Sequence, residues 1–417
     1  MNWRRILIIA GIVVIIGIVG FLVYYFVFRP PVAPIAPPPP TAFPPINVPV
    51  GLPPAIEREP VAVSPEEAVQ VVPPELLLPP EVPPPSIADF ATGGLTRVSQ
   101  VNNIRTAGVT LASDGANLNF YNRDTGQFYQ VTPDGEMKLL TDRIFRQVEN
   151  IVWSPNKNET ILEFPDGSNV LFNMATDQVI TLPRHWEEFS FSGNGAKIAA
   201  KSLAADPEDR WLIVSNPDGS SARLIEPLGD NADRVDVDWS PNNQVIATFT
   251  ESIDFDRQEL YFVGQNDENF KLTVLNGRGF EGQWAPQGDR LLYSVYNSET
   301  DFNPQLWIVD ARGENIGNNR KPLNIRTWAD KCAFSSDNIN LICGVPTQLP
   351  TGAGIIPSVA NDISDVIVRI NTQTGSVALA ALTDKDYTVK DPVLSADESK
   401  LYFLNQFDQL IYSVNLK

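Results

Sequence analysis

Between residues 111 and 405 the chain returns seven times to one short phrase: an aromatic or apolar residue, a turn built on Ser-x-Asn or Ser-x-Asp, then a β-rich apolar run. The clearest copies are WSPNKNETILEF from Trp153, FSGNGAKIAAKS from Phe191, WSPNNQVIATFT from Trp239 and WAPQGDRLLYSV from Trp284. Weaker copies are LASDGANLNFYN from Leu111, FSSDNINLICGV from Phe334 and LSADESKLYFLN from Leu394. A period of this length is the mark of a repeat architecture, and about 40–50 residues holds a four-stranded unit. Asn, Asp and Gly tolerate the positive φ that tight hairpins require, so each phrase reads as two strands around a turn. A second pair follows, as in QFYQV-PDG-MKLLT and WLIVSN-PDG-ARLIE. The last unit stops at LIYSVNLK after three strands, and GGLTRVSQ at 93–100 supplies the fourth. Joining the two ends closes a ring without an exposed edge. The expectation is an all-β fold over residues 88–417, a seven-bladed β-propeller of four-stranded antiparallel blades, with six blades if the unit at Leu111 is irregular.

The first 87 residues are of a different kind. Residues 6–28 carry no charge, and about 20 apolar residues suffice for a helix to cross a bilayer. The run exceeds a signal-peptide core and leads into Arg29-Pro30-Pro31, which predicts an uncleaved transmembrane signal anchor. Arg4 and Arg5 precede it and Phe21, Tyr24, Tyr25, Phe26 and Phe28 crowd its far end, so residues 1–5 are expected in the cytoplasm and the propeller on the extracytoplasmic side of the cell membrane. Residues 29–87 hold 21 of the 36 prolines, which predicts a polyproline-rich stalk with one short helix over Ser64–Val72. Of the net charge of −19, the propeller region carries −17. That balance excludes nucleic acid as a partner, since phosphate binding needs clustered Lys and Arg. A single His and two Cys leave little for a His- or Cys-based metal site or nucleophile–base pair.

The repeat resembles the WD40-like, or PD40, repeat of the TolB-like propellers, whose core is Trp-Ser-Pro-Asp-Gly before an apolar strand. The likeness spans residues 93–417, with Asn156 and Asn242 where the motif has Asp. It implies protein recognition at the cell envelope. An anchor and stalk replace the soluble N-terminal domain of TolB itself, so TolB's own role does not carry over.

Cys332 and Cys343 flank the SSDN turn of one hairpin, where they form a disulfide or stand as two free thiols. The loops between second and third strands lengthen over four consecutive blades: 203–210, 251–259, 297–305 and the span from Pro346 to Asp365. These carry Asp206, Glu208, Asp209, Asp254, Asp256, Glu259, Glu299, Asp301, Asp362 and Asp365, with Phe255, Phe302, Ile355 and Ile356 among them. Loops on a rigid scaffold are where binding residues collect. The expected partner-binding set is Asp206, Glu208, Asp209, Asp254, Phe255, Asp256, Glu259, Asp301, Phe302 and Asp362, contacting another envelope or surface protein. Asp254, Asp256 and Asp301 offer oxygen ligands for Ca²⁺, but without calcium-loop spacing no cofactor or metal is expected. His185, beside Trp186 and without a G-x-S-x-G elbow, reads as structural or surface. The chain is therefore expected to be a binding or scaffold module rather than an enzyme. The alternative is a carbohydrate-active or other hydrolytic propeller using paired carboxylates.

Overall fold

A computed structural model describes residues 86–417; the predicted transmembrane segment, the stalk short of its last two residues and the helix at 64–72 lie outside them. Seven four-stranded antiparallel blades follow one another. Their strands occupy 106–139, 150–182, 186–227, 235–275, 278–322 and 332–383, with the seventh blade built from 389–415 and Ser99–Gln100. Within each blade the strands lie side by side in chain order, and the first strands of neighbouring blades approach one another around the axis. The unit at Leu111 is regular, with strands Thr106–Leu111, Leu118–Asn122, Gln127–Val131 and Met137–Leu139.

The repeat phrase has a common physical cause. Ser192, Ser240, Ser335 and Ser395 are buried, and each hydroxyl donates to the Asn or Asp two residues on, at 2.6–2.8 Å. The same hydroxyl accepts the backbone N–H five residues on, from Lys197, Val245, Asn340 and Lys400. The residue three after the Ser position lies in the left-handed region in all seven blades: Gly115, Lys157, Gly195, Asn243, Gly288, Asn338 and Glu398. One left-handed residue thus closes every one of the seven hairpins, and in four of them a hydroxyl knot joins it. These turns also bond to one another around the ring. Gly193 N–H donates to Asn243 Oδ1 (2.8 Å), Asn242 donates to the Gly288 carbonyl, Asn338 Nδ2 donates to Asp289 Oδ1 (2.7 Å), Ser336 N–H donates to Glu398 (2.9 Å) and Ala396 N–H donates to the Gly115 carbonyl (3.0 Å). This face is bound up in its own structure, which leaves the opposite face free to vary.

Second strands are walled by a blade on each side, so they read as continuous apolar runs. Leu118–Asn122 and Ile198–Ser202 are buried at every position. The core lies between blades: Leu260 and Phe262 of the fourth pack on Trp284, Leu291 and Tyr293 of the fifth, and Phe120 of the first on Tyr402 of the seventh. Each such side chain contributes roughly 1.5–3 kcal/mol by leaving water. The indoles of Trp153 and Trp284 reach back to the preceding blade, donating to the carbonyls of Gly108 (2.7 Å) and Asp238 (3.2 Å).

Closure follows the expected plan, with Ser99 opposite Ser413 and Gln100 opposite Tyr412. It also has a second part. The single strand expected over 93–100 divides, and Leu95–Thr96 pairs in parallel with Leu382 and Thr383 as a fifth strand of the sixth blade. One short segment therefore clasps two neighbouring blades.

Candidate functional site

Loops between second and third strands share the variable face. In the fourth blade the strands Ala247–Ser252 and Gln258–Val263 extend further than the sequence suggests, so the loop is 253–257, shorter than the 251–259 expected. Glu259 is thus a strand residue whose carboxylate accepts the Tyr261 hydroxyl at 2.6 Å, and it leaves the candidate rim.

Three loops build one ledge. Asp256 accepts both the N–H and the hydroxyl of Ser298 at 2.8 Å, which joins the fourth blade to the fifth. Gly352 and Gly354 donate to the carbonyls of Asp301 and Phe302 at 2.9 and 2.8 Å, which joins the fifth to the sixth. Asp301 and Phe302 are consecutive left-handed residues, with φ of 56° and 55°. Such backbone costs on the order of 1–3 kcal/mol per residue and persists where its surroundings over-determine it. The surroundings here are the capping box of Asn297 and Thr300 and the Phe302 N–H donating to the Asn297 carbonyl at 2.9 Å. The result sets Phe302 edge-on against Phe255, ring centroids 5.6 Å apart. Phe255 is 72% exposed, and Ile355 and Ile356 stand exposed beside the junction. The 347–364 loop is no slack insertion, because Ala353 and Ala360 pack on Trp328 in a small core of their own.

The remaining predicted acids divide. Asp254 pairs with Arg257 (2.6 Å) and Asp301 with Arg326 (3.6 Å), both at the surface, and Asp362 is exposed. Asp206 caps the 3₁₀ turn Pro207–Asp209 by accepting the Glu208 N–H, and Glu208 and Asp209 face solvent. Among the described residues, the hydrogen bonds that build the ledge do not reach this third-blade loop. Asp365, counted among the rim acids, is instead buried. It binds Lys331 through both oxygens (2.9 and 2.7 Å) and accepts the Val389 N–H at 2.6 Å, tying the sixth blade to the seventh. Cys332 and Cys343 are direct cross-strand partners, Cα atoms 4.1 Å apart, joined by a disulfide. His185 is exposed, with its ring edge-on to Trp186.

A set of acids that sequence reasoning passed over lies inside the ring. Glu188, Asp236, Glu281 and Asp391 each sit three residues before the repeat's aromatic or apolar anchor, on the first strands of blades three, four, five and seven. Asp330 precedes the first strand of blade six, and Asp238 lies two residues beyond Asp236, just past the end of the strand Val235–Asp236. Glu188 and Asp391 stand at irregularities in strand pairing and hold left-handed backbone, φ 53° and 47°. Glu281 and Asp330 line a void of about 450 Å³ with Asp236 and Glu188, and a second of about 150 Å³ with Lys390 and the 347–364 loop. These carboxylates raise one another's proton affinity. Loss of hydration among the crowded first strands, then Asp330 and Asp236, push Glu281 up to about 7, although its side chain still meets the open channel. Burial, then Asp236, pushes Asp238 up to about 7. Asp236, Asp330 and Asp391, though exposed to the channel, rise for the same reason, lost hydration first, with neighbouring carboxylates adding to it for Asp236 and Asp330 and nearby lysines opposing it. Lys201 is committed to Glu188 at 2.6 Å and Lys331 to Asp365. Among the described residues no Lys or Arg lies within ion-pair distance of Asp236, Asp238, Glu281, Asp330 or Asp391. Nor, among those residues, do three carboxylate, imidazole or thiol groups converge as a metal site would require.

No protein-family model matches the chain, and no curated protein matches it in sequence. Among solved structures it is similar to the β-propeller domain of Cps50 (Swd1) from Myceliophteria thermophila, with a TM-score of 0.51 at 10% identity over 77% of this chain and 100% of that one. An oligogalacturonate lyase in complex with manganese gives a TM-score of 0.49 at 13% identity, over 77% of this chain and 91% of that one. Hydrazine synthase from Kuenenia stuttgartiensis gives 0.49 at 11% identity, over 79% and 97%. At these identities the likeness is one of fold.

Proposed function

We propose that this chain is a binding module, a propeller that recognises another protein through the ledge shared by blades four, five and six. The observation that carries the reading is exposed Phe255, Ile355 and Ile356 around half-buried Phe302, held by a hydrogen-bonded and locally strained framework. Rigid aromatic anchors rimmed by polar groups are what concentrate affinity at a protein interface. The repeat's likeness to TolB-like propellers and the apolar run at 6–28 support an address at the cell envelope, with the ring displayed from the membrane on a proline-rich stalk. Capture of crosslinked partners by the full-length protein tests this reading. The double variant Phe255→Ser, Ile356→Ser should lose partners that the parent retains, and an unchanged partner list would sink it. The hydrolytic alternative has one observation in its favour, Glu281 poised near neutrality among other carboxylates. The binder reading takes precedence because Phe255, the most exposed large apolar side chain among the described residues, stands on the rim with Phe302 against it.

A further inference from the structure

The loop that completes the ledge also walls the channel. Ile355 and Ile356 are exposed on its outer side, while Pro357, Ala360 and Asn361, one to five residues on, line the void that contains Glu281, Asp330 and Lys390. Apolar ledge and acidic mouth are two sides of one 3₁₀ turn, Pro357–Ala360.

Resting on the protein-binding reading above, we propose that the two surfaces take a single extended segment of the partner, one that seats an apolar side chain on the Phe255–Phe302–Ile356 ledge and directs a neighbouring Lys or Arg into the channel mouth towards Glu281 and Asp236. Charge complementarity argues for this occupant. Of the cations at the mouth, Lys201 and Lys331 are already committed, and Asp233 and Arg234 line the larger void together. That leaves Arg234 and Lys390 against Asp233, Asp236, Glu281, Asp330 and Asp391, an excess of three acids. A long cationic side chain fits where a bulky group would not: its stem crosses the apolar lip at Pro357 and its head reaches the carboxylates. An acidic or purely apolar segment would leave the mouth's carboxylates uncompensated.

Selection from a random peptide library displayed on phage, with the full-length protein as bait, tests the proposal. Enriched peptides should carry Lys or Arg within about three positions of Leu, Ile or Phe, and the binding of the tightest should weaken as salt rises. Glu281→Gln with Asp236→Asn should lower that peptide's affinity at least tenfold and abolish the Lys/Arg bias while apolar enrichment remains. Phe255→Ser with Ile356→Ser should do the converse. Neither change removes a packed core residue, and a cooperative melt at or above the parent's temperature confirms that each variant is folded. Apolar peptides without a cation bias, or affinity indifferent to the channel variant, would overturn this proposal and leave the ledge reading standing. Cationic peptides indifferent to the ledge variant would overturn the shared segment. Failure to enrich any peptide would also overturn it, whereas the capture experiment above judges the ledge reading separately.

Discussion

Asp238 offers a test of the channel's electrostatics that needs no partner. In the fold its pKa stands near 7, against about 3.8 for an ordinary Asp, chiefly because the ring removes it from water and secondarily because Asp236 is close. Between about pH 4 and 7 the folded chain keeps a proton that the unfolded chain has released, so stability falls as pH rises through that window and levels off above it. Some three pKa units at 1.36 kcal/mol each set an upper limit of about 4 kcal/mol. The channel remains open to solvent and Asp236 shares the load, so about 2 kcal/mol is the working value. Asp238→Asn removes the ionisation and keeps the shape. With an unfolding entropy near 2.1 cal/mol/K per residue, a ring of roughly 330 residues loses its stability at about 0.7 kcal/mol per degree, which makes the expected gain about 3 °C in Tm at pH 8. At pH 3 the carboxyl is protonated in the folded and the unfolded chain alike, and the two proteins should melt together. Scanning calorimetry of parent and variant at half-unit pH steps gives the comparison. A variant that melts lower at pH 8, or a gain of equal size at pH 3, would refute the desolvation argument.

Lys331→Met should cost about 3–5 kcal/mol in urea unfolding because it strands the Asp365 carboxylate between blades six and seven, and adding Asp365→Leu should recover most of the loss. Recovery is the decisive result, since a packing defect at Lys331 would persist in the double variant. Reducing the Cys332–Cys343 disulfide, or Cys332→Ser with Cys343→Ser, should lower stability by roughly 2–3 kcal/mol for so short a loop; identical urea midpoints with and without reductant would contradict it. Deleting residues 86–100 should expose the edge of Ile411–Asn415 and give broadened unfolding with self-association on gel filtration; a monodisperse, cooperative product would show that closure lies elsewhere.

The ring was legible because its turns are chemically expensive to build any other way. A buried hydroxyl needs an Asn or Asp beside it, as in four of the turns, and the left-handed position shared by all seven favours Gly or Asn, so one turn repeated leaves one phrase repeated. Blade count and terminal closure follow from that spacing. The Leu95–Thr96 addition does not, because two residues pairing in parallel carry no periodic signal. Nor does the burial of Asp365: nothing near it in the chain announces Lys331, thirty-four residues earlier. The channel acids failed to stand out for a more instructive reason. Asp236-Val237-Asp238 and Glu281-Gly282-Gln283 alternate as any half-wet strand does, and on an isolated sheet their polar side would simply face water. Closure changes the meaning of that pattern. When the first strands of seven blades converge, their wet faces meet at the axis, and residues chosen for solvation come to share a narrow channel with one another's charge. The signal was present in the column three residues before each anchor, where Glu188, Asp236, Glu281 and Asp391 align. It becomes visible only once the repeat is read around the ring rather than along the chain.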